Sequence, residues 1–254
     1  MGQEQGDLMT VTLLSASLFG QALKFIGDNG QIPGVPGPTL LSLTLQTLKI
    51  AGIGIGVALV IALPIGMWLG HIHRGSFLAI NLGNVWRALP SLAVLAIGVA
   101  FLGLGLGNVE LALVVLAVPP VITNAYVAID GVEGDIVDAA RGMGLTEWQI
   151  LRQVELPLGV PLIFAGIRTA ALFVVSTTTI ASLTGFSGSL GDIINNEASY
   201  HLSGVLGAAI AIAALALAVE FTLAGVQLVL TPKGVKAAGG GDASAVLVPV
   251  GAEA

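Results

Sequence analysis

"DAARGMGLTEWQILRQVELP", residues 138–157, reads as soluble surface helix, yet the chain around it does not read as soluble. Of the 24 charged residues in 254, eight fall between Asp130 and Glu155: Asp130, Glu133, Asp135, Asp138, Arg141, Glu147, Arg152 and Glu155. Overall the chain is 55% hydrophobic and 9% charged, with a mean hydropathy of +0.96, whereas a soluble domain carries about 25% charged residues. Long apolar runs of this kind read as transmembrane helices, each needing about 20 residues to cross about 30 Å of hydrocarbon. A polar island between such runs lies outside the bilayer, and its reading decides what stands on either side.

Within the island the residues predict helix, glycine turn, helix, then membrane. Residues 133–142 form a first short helix, broken at Gly142 and Gly144, since glycine is a poor helix former and adopts φ > 0 freely. Thr146 with Gln149 three residues on is the pattern of a capping box and starts a second helix. Pro157 falls in the first turn of the next span, where a missing N–H costs little. Ala139 and Ala140 are small, and Ile136, Met143, Leu145 and Trp148 add an apolar surface. Isolated helices below about 12 residues are marginal, so the segment is expected to be stabilised by docking; the plainer alternative is an ordinary solvated loop.

Working outward, five strong apolar runs are expected to span: 40–70, a kinked run from Phe77 through Pro90 to about Gly105, 110–129, 156–183, and about Leu202 to Leu230. Residues 8–26 are apolar as well and are read as lying in the interface rather than crossing. The acidic Glu4 and Asp7 before them do not suit a signal peptide. The domain reading is 1–39 as an interfacial or extracytoplasmic segment, 40–231 as the transmembrane domain with 131–157 as its polar insert, and 232–254 as a disordered tail. Lysine and arginine in short loops favour the cytoplasm. Arg74, Arg141, Arg152, Lys233 and Lys236 fall on one side if the N-terminus of the first strong span is outside, so 131–157 is expected to be cytoplasmic.

Thirty-five glycines suit close helix packing in lipid. Cysteine is absent, which excludes disulfides and Cys-based metal sites. A net charge of −6 argues against a nucleic-acid partner. The spans contain no nucleophile–base–acid set, so no enzyme, cofactor or metal is expected. His71, His73 and His201 are read as interfacial histidines rather than ligands.

The 138–157 stretch resembles the coupling segment of bacterial ABC-importer permeases: Glu-Ala-Ala, three residues, Gly, nine residues, Ile-x-Leu-Pro. Here that pattern falls on Asp138-Ala139-Ala140, Gly144 and Val154-Glu155-Leu156-Pro157, with Asp for Glu and Val for Ile. "ALPIGMWLGHIHRG", "RALPSLAVL", "LAVPPVITNAY" and "VELPLGVPLIFAGIRTA" are similar to the osmoprotectant subfamily, and the similarity extends over about 40–210. The outer loop departs from it, with "GFSGSLGD" (185–192) in place of Gly-Leu-Gly-Gly-Leu-Gly.

The resemblance implies an all-α, type I importer permease with five core transmembrane helices, a sixth if 8–26 crosses, and a cytoplasmic coupling helix in a bacterial plasma membrane. It implies three protein partners besides membrane lipid: a cytosolic ATP-binding subunit, a second permease subunit and an extracytoplasmic solute-binding protein. The chain has no Gly-x-x-x-x-Gly-Lys-Ser/Thr loop, so ATP hydrolysis is expected in trans. Asp138, Ala139, Ala140, Gly142, Gly144, Val154, Leu156 and Pro157 are the implied coupling residues, with Gly144 aiming the helix and the alanines allowing close approach. The implied solute is glycine betaine, choline or carnitine. An amino acid, a thiol-betaine or a gradient-driven transporter without ATPase are the other readings.

Ionisable groups inside membranes are costly and face a cavity or a partner. Lys49, Arg87, Arg168 and Glu220 are of this kind, and structural pairing is the favoured reading. The candidate pathway or gate residues are Asn81, Arg87, Pro90, Thr177, Thr178 and Thr179, with packing between helices as the competing role for the threonines. Asn84 lies in the same break as Asn81 and Pro90.

Overall fold

The structure, a computed structural model, describes residues 17–31, 37–77, 81, 83–84, 89–232 and 234. Every regular element among them is helical. The longest apolar runs form the expected elements: α2 spans Leu40–His71, α4 spans Leu106–Asp130, α7 spans Leu156–Ile180 and, after the short α8 at Gly191–Asn195, α9 spans Glu197–Leu230. A helix α1 over residues 17–27 precedes them, and a short helix α3, Ser91–Leu102, lies between α2 and α4.

The core sits on α4, the most buried of the four long helices. Val109, Leu113, Ala117, Val121, Ala125 and Ile129 point inward along its length. Helix α2 packs along one side of α4 and α7 along another. Small residues set the separation: a side chain on Gly66 of α2 would lie 2.8 Å from both Ala125 Cβ and Ile122 O. Gly166 of α7 meets Asn124 and Pro120 of α4 in the same way. With lipid outside, helices gain little from hydrophobic exclusion, so close backbone approach is what stabilises their contact.

Among the described residues, four helical runs are long and apolar enough to cross a membrane: Leu40–His71, Leu106–Asp130, Glu147–Thr184 and Glu197–Leu230. Of the second expected run, residues 78–80, 82 and 85–88 lie outside the described residues, and the break expected at Pro90 separates its first part from the helix α3. Helix α3 has 12 residues, rising about 18 Å. Pro90 caps its start at φ −65°, and the residue before a proline is disfavoured from helical geometry. Gly103 and Gly105, at φ 76° and 142°, stop it at the other end. The fifth run matches its expected start: His201, at φ 56° and ψ 170°, breaks α9 one residue before Leu202.

Of the 8–26 segment, residues 8–16 lie outside the described residues. The remainder belongs to α1, whose Ala22 and Phe25 are buried against Gly204 and Gly207 of α9. The Phe25 ring meets Tyr200 edge-on with centroids 6.2 Å apart. Asn29 then ties α1 to α2, its carbonyl accepting from Leu40 N at 2.8 Å and its Oδ1 from Leu41 N at 2.9 Å. Of the tail, only Pro232 and Gly234 are described.

Candidate functional site

The polar island folds into α5, Gly134–Gly142, and α6, Glu147–Ile150, joined by a glycine turn. The turn is a Schellman motif. Leu145 N donates to Ala140 O and Gly144 N to Arg141 O, with Gly144 at φ +86° in the left-handed region. A side chain at Gly144 would meet nothing within 4 Å, so backbone conformation alone demands glycine there. The expected capping box is present: Thr146 N donates to Gln149 Oε1 at 2.8 Å.

Val137, Ala140 and Ile150 are buried together, with Val132, Leu145 and Val154 against them. The two alanines therefore divide. Ala140 is 2% exposed and belongs to this small internal core, whereas Ala139 is exposed. Ile136, Ala139 and Met143 share the outward face of α5 at spacings of three and four. Asp138 and Gly142 are also exposed, and Val154 is half-buried. Of the two alanines expected to allow close approach, Ala139 is thus on the exposed side of α5 and Ala140 lies behind it.

A polar chain anchors the island to α2. Arg141 donates to Asp138 Oδ1 at 2.8 Å and to both Glu147 oxygens at 3.0 and 3.2 Å. His71, at the end of α2, lies 3.6 Å from Glu147 Oε2 through Nε2 and 2.7 Å from Glu155 Oε2 through Nδ1. Glu155, 1% exposed, closes a π-helical turn, Leu151–Glu155. Turns of this width occur often at functional sites. Leu156 and Pro157 then open α7 without interruption, so Glu147–Thr184 forms one helical run of 38 residues.

The histidines are thus engaged separately: His71 with Glu155, His73 with Asp130 at 2.7 Å, and His201 at the far kink. These pairings were not among the expected site residues. They join positions 84 and 57 apart in sequence, beyond the reach of local spacing.

Within the spans, Arg168 of α7 pairs with Glu220 of α9 and reaches Gln227 Oε1 at 3.3 Å, which accords with a structural role. Thr177 and Thr178 are buried. Thr178 and Thr179 donate back to Val174 O and Val175 O on their own helix. Asn81 is exposed and donates to Phe77 O. Asn84 lines a cavity of about 90 Å³ with Ser91, Leu116, Pro120, Thr123 and Phe173. Pro90 starts α3, and Arg87 lies outside the described residues. Both carboxylate oxygens of Glu110 are buried with no hydrogen-bond partner among the described residues.

At the opposite end, the divergent loop is ordered by its own contacts. Gly188 N donates to Asp192 Oδ2 at 2.6 Å and Leu190 N to Thr47 Oγ1 at 3.0 Å. Burial raises the Asp192 carboxyl above the ordinary aspartate range, and the Gly188 and Ser189 amides only partly offset this.

The family described as "Binding-protein-dependent transport system inner membrane component" matches residues 54–233. A carnitine transport permease protein of Listeria monocytogenes is 36% identical over 203 residues, covering 80% of this chain and 93% of that protein. A glycine betaine/carnitine/choline transport system permease protein of Bacillus subtilis (strain 168) is 34% identical over 217 residues, covering 85% and 96%. Among solved structures, a chain of the MetNI methionine ABC transporter in inward-facing form has a similar fold. Its TM-score is 0.65 at 22% identity, covering 76% of this chain and 96% of that one.

Proposed function

The chain belongs to the family of binding-protein-dependent transport system inner membrane components, and we propose that it forms the membrane path of an ATP-driven importer for quaternary-amine osmoprotectants such as glycine betaine, choline or carnitine. It is a multi-pass transport subunit and not an enzyme. The observation that carries the proposal is the polar island: an exposed helical face, Ile136–Ala139–Met143, aimed by a left-handed Gly144 and fixed to a transmembrane helix through Leu156 and Pro157. The 34–36% identity to permeases named for these solutes supports the choice of cargo.

In this reading the charged end faces the cytoplasm of a bacterial cell. A cytosolic ATP-binding subunit takes the α5 face in a groove, a second permease subunit completes the path, and an external binding protein delivers the solute. Asp138, Ala139, Gly142 and Gly144 present the docking surface, while Ala140 and Val154 hold it from within. Closure of the ATPases moves α5, and the path switches between two states biased by nucleotide. Thr177 to Thr179 act in packing, and the break containing Asn81, Asn84, Arg87 and Pro90 forms the gate.

The test is ATP-dependent uptake of labelled glycine betaine, choline and carnitine into vesicles holding the complex purified through this chain. Uptake of at least one solute that is lost in Gly144→Val, with the chain still inserted, is the expected result. Purification without an ATPase, or uptake driven by an ion gradient alone, overturns the reading.

A further inference from the structure

A groove of about 650 Å³ opens between the end of α2 and the α6–α7 run, lined among others by Pro64, Met67, Trp68, Trp148, Arg152 and Leu156. A second hollow of about 400 Å³ adjoins it through Trp68, Trp148 and Leu151, and extends to His71 and Glu147. The larger volume falls within the roughly 300–1,000 Å³ of small-molecule sites. Its wall is apolar except for Arg152.

Two features identify what fills it. Pro64 lies seven residues before the end of α2, about 10 Å along the helix axis and inside the span, a depth that a water-soluble partner does not reach. At the mouth stand two exposed tryptophans, Trp68 and Trp148, the residue type that sits at the headgroup level of a bilayer. Arg152 beside them is exposed and forms no hydrogen bond or ion pair among the described residues. The acid at the far hollow, Glu147, is already engaged by Arg141 and His71. A free cation over an apolar slot, at the membrane surface, complements a ligand with a negative head and a hydrocarbon tail. Basic pockets between transmembrane helices bind anionic headgroups by this arrangement.

We propose that this groove binds an anionic phospholipid, with an acyl chain along Met67 and Leu156 and the phosphate on Arg152. The lipid would wedge between α2 and the helical run that leads to α5, so the membrane's anionic lipid content would bear on the position of the polar island. The inference needs only that the chain spans a membrane, and it stands apart from the identity of the transported solute.

The test uses tryptophan fluorescence of the full-length chain carrying Trp86→Phe, which leaves Trp68 and Trp148, in phosphatidylcholine vesicles. Brominated phosphatidylglycerol or brominated phosphatidylcholine is added at equal mole fraction as quencher. The expected result is a preference for phosphatidylglycerol of about fivefold, the factor one basic side chain contributes near an anionic surface. Arg152→Gln brings the two lipids level, and Arg152→Lys keeps most of the preference. Equal quenching in the parent chain, or a preference unchanged in Arg152→Gln, overturns the proposal. No quenching by either lipid also overturns it. If Arg152→Gln does not insert, the parent chain's own ratio between the lipids decides.

Discussion

His71 Nδ1 and Glu155 Oε2 lie 2.7 Å apart across 84 residues of sequence, and both side chains are shielded from water. The contact pins the last residue of α2 to the end of the π turn. Removing one partner leaves the other buried and unsatisfied, which costs about 1–3 kcal/mol. His71→Ala is therefore expected to lower thermal stability by that amount and to weaken coupled transport, while Glu155→Gln, which keeps a hydrogen-bonding oxygen, loses less. Melting curves of both variants in detergent, alongside uptake, check this; equal stability of His71→Ala and the parent would remove the anchor role.

Gly144 makes a sharper case because its surroundings are empty. The cost of substitution comes only from φ +86°, at about 1–2 kcal/mol for an ordinary L-residue. Asparagine enters this region more readily than other side chains. Transport activity is expected to fall in the order Gly, Asn, Ala, Val at position 144, with insertion unchanged. An order that follows side-chain volume with Asn below Ala would point to a steric cause instead.

Arg168 and Glu220 join α7 to α9, and Arg168 also reaches Gln227. Either single neutralisation, Arg168→Gln or Glu220→Gln, is expected to destabilise by about 1–3 kcal/mol, and the double variant by less than the sum of the two. A double-mutant cycle on unfolding in detergent reads the coupling directly. Strict additivity would show that the pair contributes nothing jointly.

Asp192 orders the loop at the opposite end while its carboxyl is held above the ordinary range. The folded state then binds its proton more tightly than the unfolded state. Its contribution is fully present below the ordinary aspartate value of about 3.9 and is lost as pH rises through the elevated folded value. Thermal stability is expected to decline over that interval in the parent, and Asp192→Asn flattens the decline. A slope of the opposite sign, or one retained in Asp192→Asn, excludes this origin.

Much of this arrangement is legible in local pattern. The first span, 40–70, matches Leu40–His71; Thr146 with Gln149 forms the capping box; Gly144 makes the turn. Each depends on residues within a few positions of one another. What escapes is contact between distant segments. Nothing near His71 announces Glu155, and nothing near Arg168 announces Glu220. The start of α3 after Pro90, by contrast, is a local signal, and its end is set by Gly103 at φ 76°. The Ala139–Ala140 pair shows a finer limit: adjacent residues on a helix differ by about 100° in direction, and only the small core around Val137 reveals which one turns inward.

The 38-residue run from Glu147 to Thr184 has one further consequence. At about 1.5 Å per residue it is a shaft about 57 Å long, with one end in the polar island and the other beside the loop at Gly185. Its two proline positions, Pro157 and Pro161, lie near the island, and the π turn is there as well. Any flexing is thereby concentrated at the island's end, and the remainder swings as a rigid arm. A small tilt of the arm about this hinge is largest at the far mouth, with no loop along the arm to absorb it. Paired spin labels at positions 165 and 183 should keep one separation through every state of the transport cycle, whereas labels at 148 and 165 should not.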